Sequence, residues 1–204
     1  EERRIARAIE SSLRALERSD IGLLILDAEL GIEKNDLIAS QYILENDKSL
    51  IIVINKWDLV AKKVTKEEYE KFLRQRLRHL TWAPLVFVSA KNNLNLTAIL
   101  TEAQKVYAER HRRLSTGELN RFVREAVYTH APSGTHATPP KIYYGTQVST
   151  NPPRFVFFVN KGQSFHFSYR RYLANRLREK YGFAGTPLLI EYRGKADMEE
   201  THNS

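Results

Sequence analysis

Cysteine is missing from all 204 residues. Its absence excludes disulfides, thiolate-bound zinc and thiol catalysis, and a cytoplasmic location is expected from such a chain. No run of about 18 apolar residues occurs, so neither a membrane span nor a membrane partner is expected. No charged-then-apolar opening with a cleavage site is present, so no export signal is expected. The nine glycines never take the spacing Gly-x-x-x-x-Gly-Lys-Ser/Thr, and Gly194-Lys195 runs into Ala196. No Asp is followed three residues later by Gly. A backbone cradle for phosphates and the usual Mg²⁺ ligands are therefore not expected, and triphosphate cannot be held in the usual way. The six histidines show no metal-ligand spacing, and His130, His136 and His166 fall in or near loops. Asp27 ends an apolar run with no base or nucleophile near it in sequence, so no catalytic residue and no metal site are assigned.

What is present is enough for a packed core: 42% apolar and 27% charged residues, with a net charge of +8. The charge is unevenly placed. Residues 1–111 hold 18 Lys and Arg against 17 Asp and Glu, whereas residues 112–204 hold 14 against 7. The last nine residues contribute three acids and no base. A near-neutral part followed by a basic one suggests two domains with different partners, at 1–111 and 112–195, then an acidic and polar tail at 196–204. An excess of positive charge points to an anionic partner, RNA rather than a membrane surface.

Hydrophobic spacing divides the chain in the same place. Residues 3–18 read as a helix, with Ile5, Ala8, Ile9, Leu13 and Leu16 at helical intervals. Ile21–Asp27, Leu50–Ile54 and Leu85–Val88 read as short buried strands. Helices are expected at 33–46, from Thr65 onward and over Leu96–Arg113. Thr65 with Glu68 has capping-box spacing, and Val64 with Tyr69 forms a staple. Strands alternating with helices indicate βα units and a parallel sheet.

After Arg113 the pattern changes to α-β-β-α-β. Ser115 and Glu118 open a helix running to about Thr129, and Ala131–Pro140 is a loop by composition. Lys141–Ser149 and Arg154–Asn160 form a hairpin through Thr150-Asn151-Pro152-Pro153. Ser168–Tyr181 is a basic helix and Pro187–Arg193 a last strand. Helices on one face of a three-stranded sheet are the expected α+β layer.

Asn55-Lys56-Trp57-Asp58 directly follows the second buried strand, and Ser89-Ala90-Lys91 the third. In a parallel sheet both then lie at carboxyl ends of strands, where such sheets bind ligands. The residue types suit guanine. Asp58 can accept from N1–H and the N2 amine together. Asn55 can face N7 and O6 and brace the loops, and the Ala90 amide can donate to O6. The stems of Lys56 and Lys91 can cover the two faces of the base. Adenine would leave the Asp58 carboxylate without donors, at a cost of several kcal/mol. The candidate guanine-binding set is Asn55, Lys56, Trp57, Asp58, Ser89, Ala90 and Lys91. Trp57 fills the variable position, where simple packing is preferred.

These stretches, with Leu16-Glu17-Arg18-Ser19-Asp20, Arg113 to Arg121, Lys141 to Val148, Thr150 to Pro153 and Ser168 to Leu173, resemble the Der (EngA) family of bacterial ribosome-assembly GTPases. That family has two tandem G domains and a C-terminal KH-like domain. The match starts in the helix after the second G domain's Asp-x-x-Gly element and runs to about Lys195. The resemblance implies the back half of a P-loop GTPase sheet followed by a KH-like domain. It implies GTP or GDP as ligand, with only the base half of the site in this sequence. Mg²⁺ would be held in an intact parent by ligands absent here. Partners would be the large ribosomal subunit or rRNA, and an upstream G domain of the same protein. If that missing half once preceded residue 1, strand Ile21–Asp27 would carry an unpaired apolar edge, an aggregation risk. Asn92-Asn93-Leu94-Asn95 stands where the family commonly has a glycine-containing turn, and the loop Ser133–Pro140 is less basic than usual.

KH domains grip nucleic-acid backbone with a Gly-x-x-Gly loop between helices. Gly182-Phe183-Ala184-Gly185 fits the letters but lies between a helix and a strand, so it reads as a helix stop and turn. The basic helix offers Arg170, Arg171, Arg176, Arg178 and Lys180, with Lys141 nearby in the domain. They are candidates for rRNA contact or for docking on the upstream G domain; a solvated helix face is the bland alternative. A further alternative is a non-enzymatic RNA-binding or interaction module on a vestigial G-domain scaffold.

Overall fold

The computed structural model describes residues 14–132, 140–160, 165 and 167–194. Most of the expected first helix, the loop from Ser133, His136, His166 and the tail lie outside them; residues 14–17 are helical. The chain divides into two compact units. One runs to Glu109 and includes Ala184–Pro187, and the other comprises Arg110–Phe183 with the residues from Leu188 onward.

The first unit is built on a parallel sheet of β1 (Ile21–Asp27), β2 (Ser49–Asn55) and β3 (Leu85–Phe87), in that order. Its helices are α1 (Lys34–Glu45), α2 (Trp57–Val60), α3 (Lys66–Arg76) and α4 (Thr97–Arg110). β2 is central, so both of its faces are covered and it reads as an unbroken apolar run. Leu50, Ile52 and Ile54 face a core shared with Leu24, Leu26, Tyr69, Leu73 and Leu77. Ile51 and Val53 face the other way, with Val86, Val88 and Val106.

β1 departs from the expected fully buried strand. Leu23 and Ile25 are 44% and 59% exposed, while Leu24 and Leu26 are buried. Among the described residues β1 pairs with β2 alone. The α4 residues Ala98, Ile99 and Ala103 pack with the β2 and β3 side chains of that face.

Local signals start the helices. At α3 the Thr65 hydroxyl accepts from the Glu68 amide (3.2 Å), and the Glu68 carboxylate accepts from the Thr65 amide (2.9 Å). Val64 and Tyr69 both join the core, as the staple predicts. Two short elements escape the sequence reading, α2 and the 3₁₀ turn Arg78–Leu80. The turn at Ala184–Pro187 also belongs to this unit: the Gly185 carbonyl accepts from the Leu50 amide (2.7 Å), and the Gly185 amide donates to the Trp82 carbonyl (2.9 Å).

The second unit runs α5 (Thr116–Thr129), β4 (Ile142–Thr150), β5 (Pro153–Val159), α6 (Phe167–Tyr181), β6 (Leu189–Arg193), the expected α-β-β-α-β order. β4 pairs antiparallel with β5, and β6 runs parallel to β5. Leu119, Phe122, Val123 and Ala126 of α5 and Tyr169, Leu173 and Leu177 of α6 share one core with Phe155, Phe157, Val159 and Ile190. α5 opens on the Ser115–Glu118 capping box. α6 stops at Gly182, whose φ of 94° suits glycine and whose amide donates to the Arg178 carbonyl (2.9 Å). Gly145 permits close packing, since a Cβ there would lie 2.6 Å from the Phe157 ring.

Candidate functional site

Both motif loops leave the carboxyl end of the parallel sheet. Asp27 and Asn55, in register, end β1 and β2, and Ser89 comes two residues after β3. The Ala90 amide donates to Asn55 Oδ1 at 3.0 Å, which ties the second loop to the first. The Trp57 amide adds a bond to the Val88 carbonyl (3.0 Å). Asn55 thus joins the two loops. The Ala90 amide expected to face guanine O6 is engaged by Asn55 in this structure.

Lys56 takes a left-handed conformation, φ 59° and ψ 30°, ahead of α2. Its Nζ lies 2.5 Å from Asp27 Oδ2. The Lys56 hydrogen bond, then one from the Glu29 amide, hold the Asp27 carboxyl below its ordinary pKa, and Asp27 in turn raises that of Lys56. Asp27 therefore belongs to the site by contact. Its signal in the sequence was its place at the end of an apolar run matching that which ends at Asn55.

Trp57 is corrected out of the base-contacting set. Its indole is buried, with ring centroids 4.6 Å from Phe87 and 5.4 Å from Tyr69, both edge-on. It anchors α2 in the core, so the residue after it is held at the sheet's rim. That residue is Asp58, and its Oδ2 accepts from Asn92 Nδ2 at 2.9 Å. Asn92 was not foreseen as part of the site.

The loop carrying Asn92 is closed by a reciprocal pair. The Ser89 amide donates to the Leu94 carbonyl (3.1 Å), and the Leu94 amide donates to the Ser89 carbonyl (2.9 Å). The buried Ser89 hydroxyl accepts from the Asn92 amide (3.3 Å). Asn93 and Asn95 have φ of 52° and 58°, a conformation asparagine tolerates better than most non-glycine residues. Two asparagines thus do the turning expected of a glycine. Lys91 is exposed beside them.

In the second unit the predicted cations separate. Arg176 pairs with Glu179 (2.6 Å), and Lys180 pairs with Glu125 of α5. Arg178 is turned inward, donating to the Phe183 carbonyl at 2.5 Å, and its burial disfavours the charged form. It is a structural residue, which corrects its place among the surface candidates. Arg170 lies over the Tyr192 ring (5.8 Å), Lys141 over Tyr143 (5.7 Å), and Arg171 is exposed. Gln147 was also missed. Its buried amide accepts from the Leu114 amide (2.7 Å) and donates to the Arg112 carbonyl (2.9 Å), fixing the segment before α5.

The KH-domain-like model described for the C-terminal part of EngA bacterial GTPase enzymes matches residues 113–193, and the GTP-binding domain of elongation factor Tu matches residues 9–110. GTPase Der of Syntrophotalea carbinolica is 40% identical over 94% of this chain, and that of Thermomicrobium roseum 42% over 93%. GTPase Der of Moorella thermoacetica is 43% identical over 89%. The chain belongs to the Der (EngA) family. It covers 44%, 43% and 42% of those relatives' lengths. The α/β unit is thus a G-domain fragment and the α+β unit the family's KH-like domain.

Among the described residues no three His, Asp or Glu side chains converge in a way that could hold a metal ion. No helix among them is long and apolar enough to cross a membrane.

Proposed function

We propose that this chain supplies the base-recognition half of a GTP/GDP site and a KH-like module that contacts the large ribosomal subunit. The parent activity would be GTP binding and hydrolysis during bacterial large-subunit assembly in the cytoplasm. The Ala90–Asn55 hydrogen bond, 3.0 Å long, carries the base-site reading. It joins the two loops whose residue types suit guanine, with Asp58 at the same rim. A carboxylate facing N1–H and the N2 amine disfavours adenine, which lacks both donors. Phosphate chemistry is not assigned to this chain, because no phosphate-cradling motif occurs in it.

The test is nucleotide binding by the full-length protein carrying Asp58→Asn. Exchanging one acceptor oxygen for an amine should weaken GTP and improve xanthosine triphosphate. Unchanged GTP affinity would overturn the assignment.

The RNA-contacting role of the KH-like unit is supported by the excess of base over acid after residue 111 and by the exposed Arg171. Salt titration of binding to large-subunit rRNA tests it, since phosphate contacts give a steep salt slope. Absence of binding at low salt would favour docking on another G domain instead.

A further inference from the structure

We propose that Asn92 acts as an internal stand-in for guanine, pairing with Asp58 until the base displaces it. This rests on the guanine-recognition reading. The Asn92 side chain presents an NH₂ group on a planar sp² carbon, as guanine does at C2. It donates to Asp58 Oδ2 at 2.9 Å, the kind of bond that the base would make to the same carboxylate. Guanine needs both carboxylate oxygens, one for N1–H and one for the N2 amine. On this proposal the Asn92 amide and the base compete for Oδ2.

The surrounding loop makes that competition a matter of one side chain. Its backbone is fastened at Ala90 to Asn55, closed between Ser89 and Leu94, and held at Asn92 itself by the Ser89 hydroxyl. Asn92 is exposed, so rotation of its side chain frees Asp58 without moving the loop or uncovering the core. The stand-in also keeps the carboxylate hydrogen-bonded when no base is present. Asn92 is thus an affinity-setting residue of the base site, and the binding-competent fraction is the fraction with Asn92 turned away.

The experiment is binding of a fluorescent guanine nucleotide, mant-GDP, to the full-length protein and to Asn92→Ala. Loss of a single solvent-exposed hydrogen bond from the competing state should tighten binding about threefold to tenfold. The gain should appear as a faster association rate, with a cooperative melting transition showing that the variant folds. Unchanged or weaker binding would overturn the proposal, weaker binding meaning that Asn92 holds Asp58 in place for the base. Asp58→Asn is measured alongside. If it leaves mant-GDP binding unchanged, the base-site reading fails. If it weakens binding while Asn92→Ala has no effect, only the stand-in fails.

Discussion

Two glycines of the second unit should respond to the same substitution with opposite signs. Gly145 lies in β4 directly across from Phe157 of β5. A Cβ at position 145 would sit 2.6 Å and 2.7 Å from two atoms of the Phe157 ring and 3.4 Å from Leu119. Carbon atoms pack best at about 3.5–4.0 Å, so the ring would have to retreat by roughly 1 Å. Phe157 is fully buried in the core shared by α5 and α6, which leaves little room to yield. Overpacking of this kind costs about 1–3 kcal/mol. Gly117 lies in the first turn of α5, with nothing within 4 Å of a Cβ. Alanine there narrows the unfolded ensemble and should stabilise by about 0.4–1 kcal/mol. In a domain of this size each kcal/mol moves the melting temperature by roughly 4–8 °C. Far-UV circular dichroism follows both units, whereas the two tryptophans, Trp57 and Trp82, sit in the first. Gly145→Ala should therefore lower the dichroism transition of the second unit, and Gly117→Ala should raise it. A Gly145→Ala protein as stable as the parent, or a Gly117→Ala protein less stable, would refute the packing argument.

Other outcomes follow from the same geometry. Arg171→Ala should reduce the salt slope of rRNA binding by about 1 and leave melting unchanged, measured by titration at several salt concentrations. Arg178→Ala should instead lower the melting temperature, because it removes the donor from the Phe183 carbonyl. Asp27→Asn should destabilise the first unit near neutral pH, read from urea midpoints. The Asp27 carboxyl is held below its ordinary 3.8, so its contribution is complete above that value and fades as pH falls through the lower folded one. Lys56 is raised above 10.5, so the pair persists on the alkaline side until pH passes its folded value. Parent and Asp27→Asn curves should converge in strong acid; a difference persisting there would refute the pairing.

The parts of the fold that could be read from sequence share a physical reason. β2 is apolar at every interior position because both its faces are covered, and that run points to a parallel sheet unaided. Thr65 with Glu68 and Ser115 with Glu118 mark helix starts because a capping box is complete within four residues. Asn55 and Asp58 were accessible for the same reason, being local to a strand end. What escaped depends on distance along the chain. The Asp27–Lys56 pair requires the parallel register of β1 and β2. The Asn92–Asp58 bond crosses 34 positions and depends on two left-handed asparagines. On α6, counting helical faces groups Arg171 with Arg178, yet Arg178 is drawn to a carbonyl beyond the helix end. Lys180 is claimed by Glu125 on α5, a residue that no reading of α6 alone could supply.

The small segment Ala184–Pro187 has a consequence for the order in which the protein is made. It belongs to the first unit, where Gly185 bonds to both Leu50 and Trp82, yet it follows almost the whole of the second. A chain emerging from the ribosome therefore presents β1 to α4 without the backbone partners of Leu50 and Trp82. Those partners arrive only after α6 has been synthesised. Folding vectorially, one unit at a time from the N-terminus, cannot finish the first unit before the second. The last partners of the sheet bearing the base motif are thus withheld until nearly all of the KH-like module exists, which ties the maturation of the two units together in time.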